Sequence, residues 1–178
     1  MTYKKREKGV KERIYEALIR LISEDKKPYE QITVQDIVDE AGVCRNSFYR
    51  NFKTKSDIFM ERFMEISKYT GVLMQGYEGD FAKRIFRSYF EAAKEHREFL
   101  LAFYKAVPNM YFDTFTGVIK ASNINGREDP SPEDYYKYSC RAWISVGILT
   151  EWMQKGCQTP VDDMIKWFEK WSVGLMKK

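Results

Sequence analysis

Histidine, cysteine and proline are scarce in this 178-residue chain, and each shortage removes a class of chemistry. His96 is the only histidine, and Cys44, Cys140 and Cys157 form no CxxC pair, so a zinc site has almost no ligands to draw on. The three cysteines are expected to be reduced and structural. Neither a GxxxxGK[ST] phosphate loop nor a group of carboxylates facing a histidine is present, which leaves catalysis little to build from. No enzymatic activity, cofactor or metal is expected. Five prolines and ten glycines are too few for a linker-rich or disordered chain. No apolar run approaches the roughly 18 residues a membrane helix needs. The charged start, "MTYKKREKGVKERIYEAL", lacks the apolar block of a secretory signal, so a cytoplasmic protein without membrane association is expected.

What is present is aromatic and unevenly charged. Aromatic residues make up 16% of the chain, beside 44% hydrophobic and 31% charged residues. Residues 1–55 carry 13 Lys and Arg against 9 Asp and Glu, whereas residues 56–178 carry 17 of each sign. A basic N-terminal unit on a neutral remainder fits a polyanion-binding head joined to a body with another task.

The apolar spacing is helical throughout. Val10, Ile14, Leu18, Leu21 and Ile22 predict a helix over about 8–24, stopped before Pro28. Thr33, with Asp36 three residues on, predicts a capped start for a second helix that buries Val34, Ile37, Val38 and Ala41 and closes at Gly42. A third helix is expected over 44–51, and Thr54 with Asp57 opens a fourth that runs to about Gln75. Beyond 76–80, helices are expected around Phe81–Phe90, Phe99–Tyr104 and Met110–Ile119. The polar stretch 122–134 reads as a loop, followed by a helix over 135–155 and a last one after Pro160. No β alternation or repeat appears. The chain is expected to be all-α with about nine helices, divided into an N-terminal unit over 1–55 and a helical body over 56–178.

Two short helices around a tight glycine turn fit a helix-turn-helix, whose second helix enters the major groove. In "TVQDIVDEAGVCRNSFYRNFKTK", Val43, Phe48 and Phe52 supply an apolar anchor, which leaves Arg45, Asn46, Ser47 and Arg50 outside as candidates for base contact. Arginine binds guanine, and asparagine adenine, through paired hydrogen bonds. Thr33, Tyr49, Asn51, Lys53 and Lys55 are candidates for contacts to the DNA backbone. Lys4, Lys5, Arg6 and Lys8 are either a charged tail or an arm for the minor groove.

The segment "ITVQDIVDEAGVCRNSFYRNFKTKSDIF" resembles the N-terminal DNA-binding segment of TetR-family transcriptional regulators. Thr33, Ile37, Ala41, Gly42, Val43, Phe48, Tyr49, Phe52, Thr54 and Lys55 match that family's pattern. Cys44 stands where the family usually has serine, a better helix cap, and Asn46 where a small residue is common. The resemblance implies a repressor that binds a near-palindromic operator on double-stranded DNA as a homodimer. It also implies a ligand cavity in the body and an interface built from the last two helices. The tail "EWMQKGCQTPVDDMIKWF" is similar to the branch that includes regulators of dihydroxyacetone kinase operons. Members of that branch can depend on a protein co-regulator, so an adaptor or co-activator under a protein partner is the alternative to small-molecule control.

In the body, Phe63, Phe86, Tyr89, Phe90, Phe103, Tyr104, Tyr111, Phe115 and Trp143 are candidates for an effector pocket, although helical spacing yields the same stripes in a plain core. Tyr69, Tyr104, Tyr138 and Arg141 are the polar groups available to such a pocket, or equally to helix ends and solvent. Ile144, Leu149, Trp152, Trp167, Phe168 and Trp171 are candidates for a dimer face, because tryptophan is enriched at interface centres.

Overall fold

A computed structural model describes residues 9–24, 27–124 and 131–176, without the side chains at 81, 82, 122–124, 169 and 171–176. The described residues form nine α-helices and no strand: α1 (Val10–Ser23), α2 (Val34–Ala41), α3 (Arg45–Asn51), α4 (Lys55–Gln75), α5 (Phe81–Glu95), α6 (Arg97–Ala106), α7 (Pro108–Ile124), α8 (Pro132–Gln154) and α9 (Val161–Met176). The all-α expectation holds. No described helix is long and apolar enough to cross a membrane.

The chain packs as two compact units that divide between Glu65 and Ile66, within α4. In the first unit, Ile14, Leu18, Ile37, Phe48, Ile58 and Phe59 are each at most 1% exposed. They come from α1, α2, α3 and the start of α4, so each short helix is held by a contribution to one core and not by its own length. The connector before α2 contains a single 3₁₀ turn at Tyr29–Gln31, whose Tyr29 ring tilts against Phe59.

The caps explain where the helices begin and end. Thr33 Oγ1 accepts from the Asp36 N–H at 3.1 Å, while Asp36 Oδ2 accepts from the Thr33 N–H at 2.7 Å, a complete capping box. Gly42 closes α2 at φ 61°, a left-handed conformation that glycine adopts without a Cβ penalty. Asp57 accepts from the N–H groups of Lys53 and Thr54, each at 2.8 Å, and fixes the entry to α4.

In the second unit α7 packs along α8, and α5 on α9. The expected 122–134 loop is shorter than its composition suggests: α7 extends to Ile124, and α8 begins at Pro132. Ser131 Oγ accepts from the Asp134 N–H at 3.2 Å with proline at the first helical position, a start signal hidden in a polar stretch. Residues 125–130 of that expected loop lie outside the described residues. At the far end of α8, Gly156 turns left-handed at φ 78° and Cys157 follows at φ 54°.

Candidate nucleic-acid interface

Two rings hold α3 in place. Phe48 is fully buried, and its ring lies 5.7 Å from that of Phe52, which is itself 2% exposed and 5.9 Å from Tyr15 on α1. The glycine turn before α3 is tied from a distance: Arg13 Nη2 donates to Gly42 O at 2.7 Å. A Cβ on Gly42 would lie 2.9 Å from that guanidinium, so the position is closed sterically as well as conformationally. Arg13 is a residue the sequence pattern did not single out, because its partner is 29 positions away.

With Phe48 and Phe52 turned inward, the opposite face of α3 is left to Arg45, Asn46, Tyr49 and Arg50, all exposed. The helix contains no carboxylate. Arg45 and Tyr49, one turn apart, form a pair in which Arg45 Nη2 donates to Tyr49 Oη at 3.3 Å and the guanidinium lies 5.7 Å from the ring centre. Asn46 and Arg50 make no side-chain hydrogen bond or ion pair among the described residues, so their donors remain free. Lys53, just past the helix, is exposed.

Four of the expected contact residues also make hydrogen bonds or close polar contacts within the protein. Lys55 Nζ donates to the carbonyls of Tyr29 at 2.5 Å, Glu30 at 3.2 Å and Ile32 at 2.8 Å, and lies 4.1 Å over the Tyr29 ring. Its three protons are directed to the connector before α2. Desolvation by burial lowers its pKa. Thr33 is closed in its capping box, where its hydroxyl also donates to Asp36 Oδ2 at 2.6 Å. The Asp36 carboxylate is held well below its usual range, first by Lys27, whose ammonium lies 2.6 Å away, and then by Thr33. Asn51 Nδ2 donates back to Ser47 O at 2.7 Å, and Ser47 Oγ lies 3.1 Å from Cys44 Sγ.

Cys44 occupies the cap position of α3 and makes no capping bond to the first turn, as expected for a thiol in place of a hydroxyl. The Ser47 hydroxyl, 3.1 Å from Sγ, is the largest cause of a lowered Cys44 pKa. The basic positions Lys4, Lys5, Arg6 and Lys8 lie outside the described residues.

The candidate pocket residues separate into groups. Phe86, Tyr89, Phe90 and Phe115 line a hollow in the second unit, together with Ser145 and Phe168 among others. The hollow measures about 340 Å³ with its open mouth included, but only about 20 Å³ is free to the centre of a water molecule. Phe103, Tyr104 and Tyr111 belong to an aromatic cluster beside it, in which Tyr111 contacts Phe103, Tyr104, Phe112 and Phe115 with ring centres 4.7–5.5 Å apart. Tyr111 is fully buried; its hydroxyl lies 2.9 Å from Thr150 Oγ1, and burial pushes its pKa up to about 12. Trp143 is stacked on Phe112 with half of its surface exposed, and Phe63 belongs to the first unit.

The candidate interface residues divide as well. Leu149, Trp152 and Phe168 are taken up by the core of the second unit: Trp152 meets Phe90 edge-on and Phe168 lies 4.3 Å from Phe86. Ile144 is half-buried and Trp167 is 41% exposed, while the Trp171 side chain lies outside the described residues.

Comparison with known proteins agrees with this geometry. Residues 14–61 match the model of the tetR family of bacterial regulatory proteins. Over 99 residues the chain is 28% identical to an HTH-type transcriptional regulator, YerO of Bacillus subtilis, a match that covers 51% of this chain and 34% of that one. The matched segment thus spans about a third of the relative's length. The fold is also that of the fatty acid degradation regulator FadR from Bacillus halodurans, at 16% identity and a TM-score of 0.69, with 97% of this chain and 99% of that one covered. The dihydroxyacetone kinase operon activator DhaS is similar at 14% identity and a TM-score of 0.57, over 94% of this chain and 96% of that one. Residues 14–61 are thus the DNA-binding segment of the tetR family of bacterial regulatory proteins, carried on a chain that shares the fold of transcription regulators.

Proposed function

We propose that the chain acts as a sequence-specific repressor, a homodimer on a near-palindromic operator, whose DNA affinity is set by a small-molecule effector in the second unit. One observation carries the reading: Arg45, Asn46 and Arg50 project from a carboxylate-free face of a short helix whose opposite face is locked by Phe48 and Phe52. Such a helix is anchored well enough to hold side chains against base edges, and its free donors suit guanine and adenine. Two copies related by a twofold axis read half-sites one helical turn apart, about 34–36 Å, or a multiple of it. The half-exposed Trp143 and Trp167 on α8 and α9 supply apolar area for a second copy. Occupancy of the operator blocks transcription, and a ligand that prefers one arrangement of the dimer changes that occupancy by linkage.

The names of the structural neighbours point to different metabolites, fatty acids for one and dihydroxyacetone for the other, so they do not select an effector. Titration of labelled duplex with the full chain tests the DNA reading. Arg50→Ala is expected to relax preference at one base pair by about 1–3 kcal/mol, whereas Lys53→Ala weakens all sequences alike and flattens the salt dependence. Equal effects of the two substitutions on every sequence would overturn the assignment of α3 as the reading helix.

A further inference from the structure

Arg141 is half-buried beside the hollow of the second unit, and among the described residues no carboxylate pairs with it. Its guanidinium lies 5.2 Å over the ring of Phe86, one of the walls of that hollow. Ser145, one turn further along α8, is another wall, and Leu149 a third, so Arg141 continues the row of α8 side chains that faces the cavity. Among the described residues it makes no ion pair and no side-chain hydrogen bond, in contrast to Arg87, which pairs with Asp162, and Arg97, whose Nε donates to Met153 O at 2.6 Å. A guanidinium drawn partly out of water is costly, and the Phe86 face offsets part of that cost while using none of its N–H donors.

The walls define the rest of the occupant. Phe86, Phe90, Phe115, Ile119 and Val146 are apolar, and the Ser145 hydroxyl is turned back onto its own helix, donating to Arg141 O at 2.7 Å. We propose that this hollow binds an amphipathic monocarboxylate, with an apolar body among the aromatic walls and its carboxylate in the fork of Arg141. The proposal rests on the effector reading above and names the class of ligand. Free space of about 20 Å³ holds roughly one water, so a larger occupant must turn the rings that close the hollow. Phe86 contacts Phe168 of α9, and Phe115 contacts Tyr111 of α7. Entry of the ligand therefore moves rings of α5 and α7 and, through Phe86, the contact with Phe168 on α9.

Calorimetric titration of the full chain with decanoate, decanol and propionate tests this directly. Decanoate should bind saturably at one per subunit, with decanol and propionate each at least about tenfold weaker. R141Q should lower decanoate affinity to that of decanol and leave decanol within about twofold, which guards against a folding defect, while R141K keeps the charge without the planar fork and should retain only part of the preference. Equal binding of decanol and decanoate, or decanoate binding unchanged by R141Q, would overturn the site. DNA affinity measured in the same samples separates this inference from the effector reading. Arg141-dependent binding that leaves DNA affinity unchanged keeps the carboxylate site and removes its effector role. Release of DNA by a neutral or cationic compound, with decanoate ignored, keeps the effector role and removes the carboxylate site.

Discussion

Lys55 in the first unit and Arg141 in the second are both partly buried cations whose pKa values burial lowers, yet their surroundings differ. Lys55 is closed by three backbone carbonyls and an aromatic ring. Arg141 has the face of Phe86 and no hydrogen-bonding partner for its side chain among the described residues. The first cation organises the fold, and its charge is used up there. The second leaves its hydrogen-bonding capacity available to something that is not part of the chain. Partial burial alone does not separate a structural charge from a functional one; the inventory of donors and acceptors around it does.

The same contrast runs through the aromatic residues, and the largest expected effect tests it. Phe48 is fully buried on α3, which packs on α1 and α2, so Phe48→Ala should cost about 3–5 kcal/mol and unfold the first unit. Phe115 is half-buried beside open space, so Phe115→Ala should cost clearly less. Urea denaturation of both variants decides this, and equal losses would mean that the hollow is ordinary core.

Next in size is the pair of cations. Lys55→Met strands three carbonyls and should cost about 2 kcal/mol. Arg141→Met loses a cation–ring contact but relieves a desolvated charge, so its stability should stay within about 1 kcal/mol of the wild type. If Lys55→Met instead kept full stability while losing DNA affinity, Lys55 would be a phosphate contact after all. The smallest effect expected is a gain. Cys44→Ser restores a side-chain oxygen at the cap of α3 and should add from a few tenths to about 1 kcal/mol, read as a small rise in melting temperature.

The two units also differ in how far they could be read from sequence. In the first, the signals were local: Thr33 with Asp36, Gly42, and the spacing of Phe48 and Phe52 each act within one or two turns, so helix positions and the outward face of α3 followed directly. What escaped were the long-range closures. The Lys55 ammonium reaches carbonyls 23 to 26 positions away, and nothing in its own neighbourhood distinguishes that use from a phosphate contact.

In the second unit the helices were visible, but the assignment of their aromatic stripes was not. Helical spacing marks Trp152, Phe168, Phe115 and Trp143 alike as apolar. Packing buries Trp152 in the core, makes Phe168 a buried and Phe115 a half-buried wall of the hollow, and leaves Trp143 a half-exposed ring. Their separation depends on partners from α5 and α7, which no local pattern encodes. The start of α8 shows the converse, because Ser131 and Pro132 carried a cap signal that the surrounding polar composition hid.

The central claim is that α3 reads DNA as one of a symmetric pair. Selection of bound duplexes from a random pool by the full-length chain tests it most directly. The account predicts enrichment of an inverted repeat whose half-sites lie one helical turn apart or a multiple of it, with guanine or adenine at positions that lose their preference in Arg45→Ala, Asn46→Ala or Arg50→Ala. Failure to enrich any sequence at low salt, or an enriched site indifferent to all three substitutions, would contradict it.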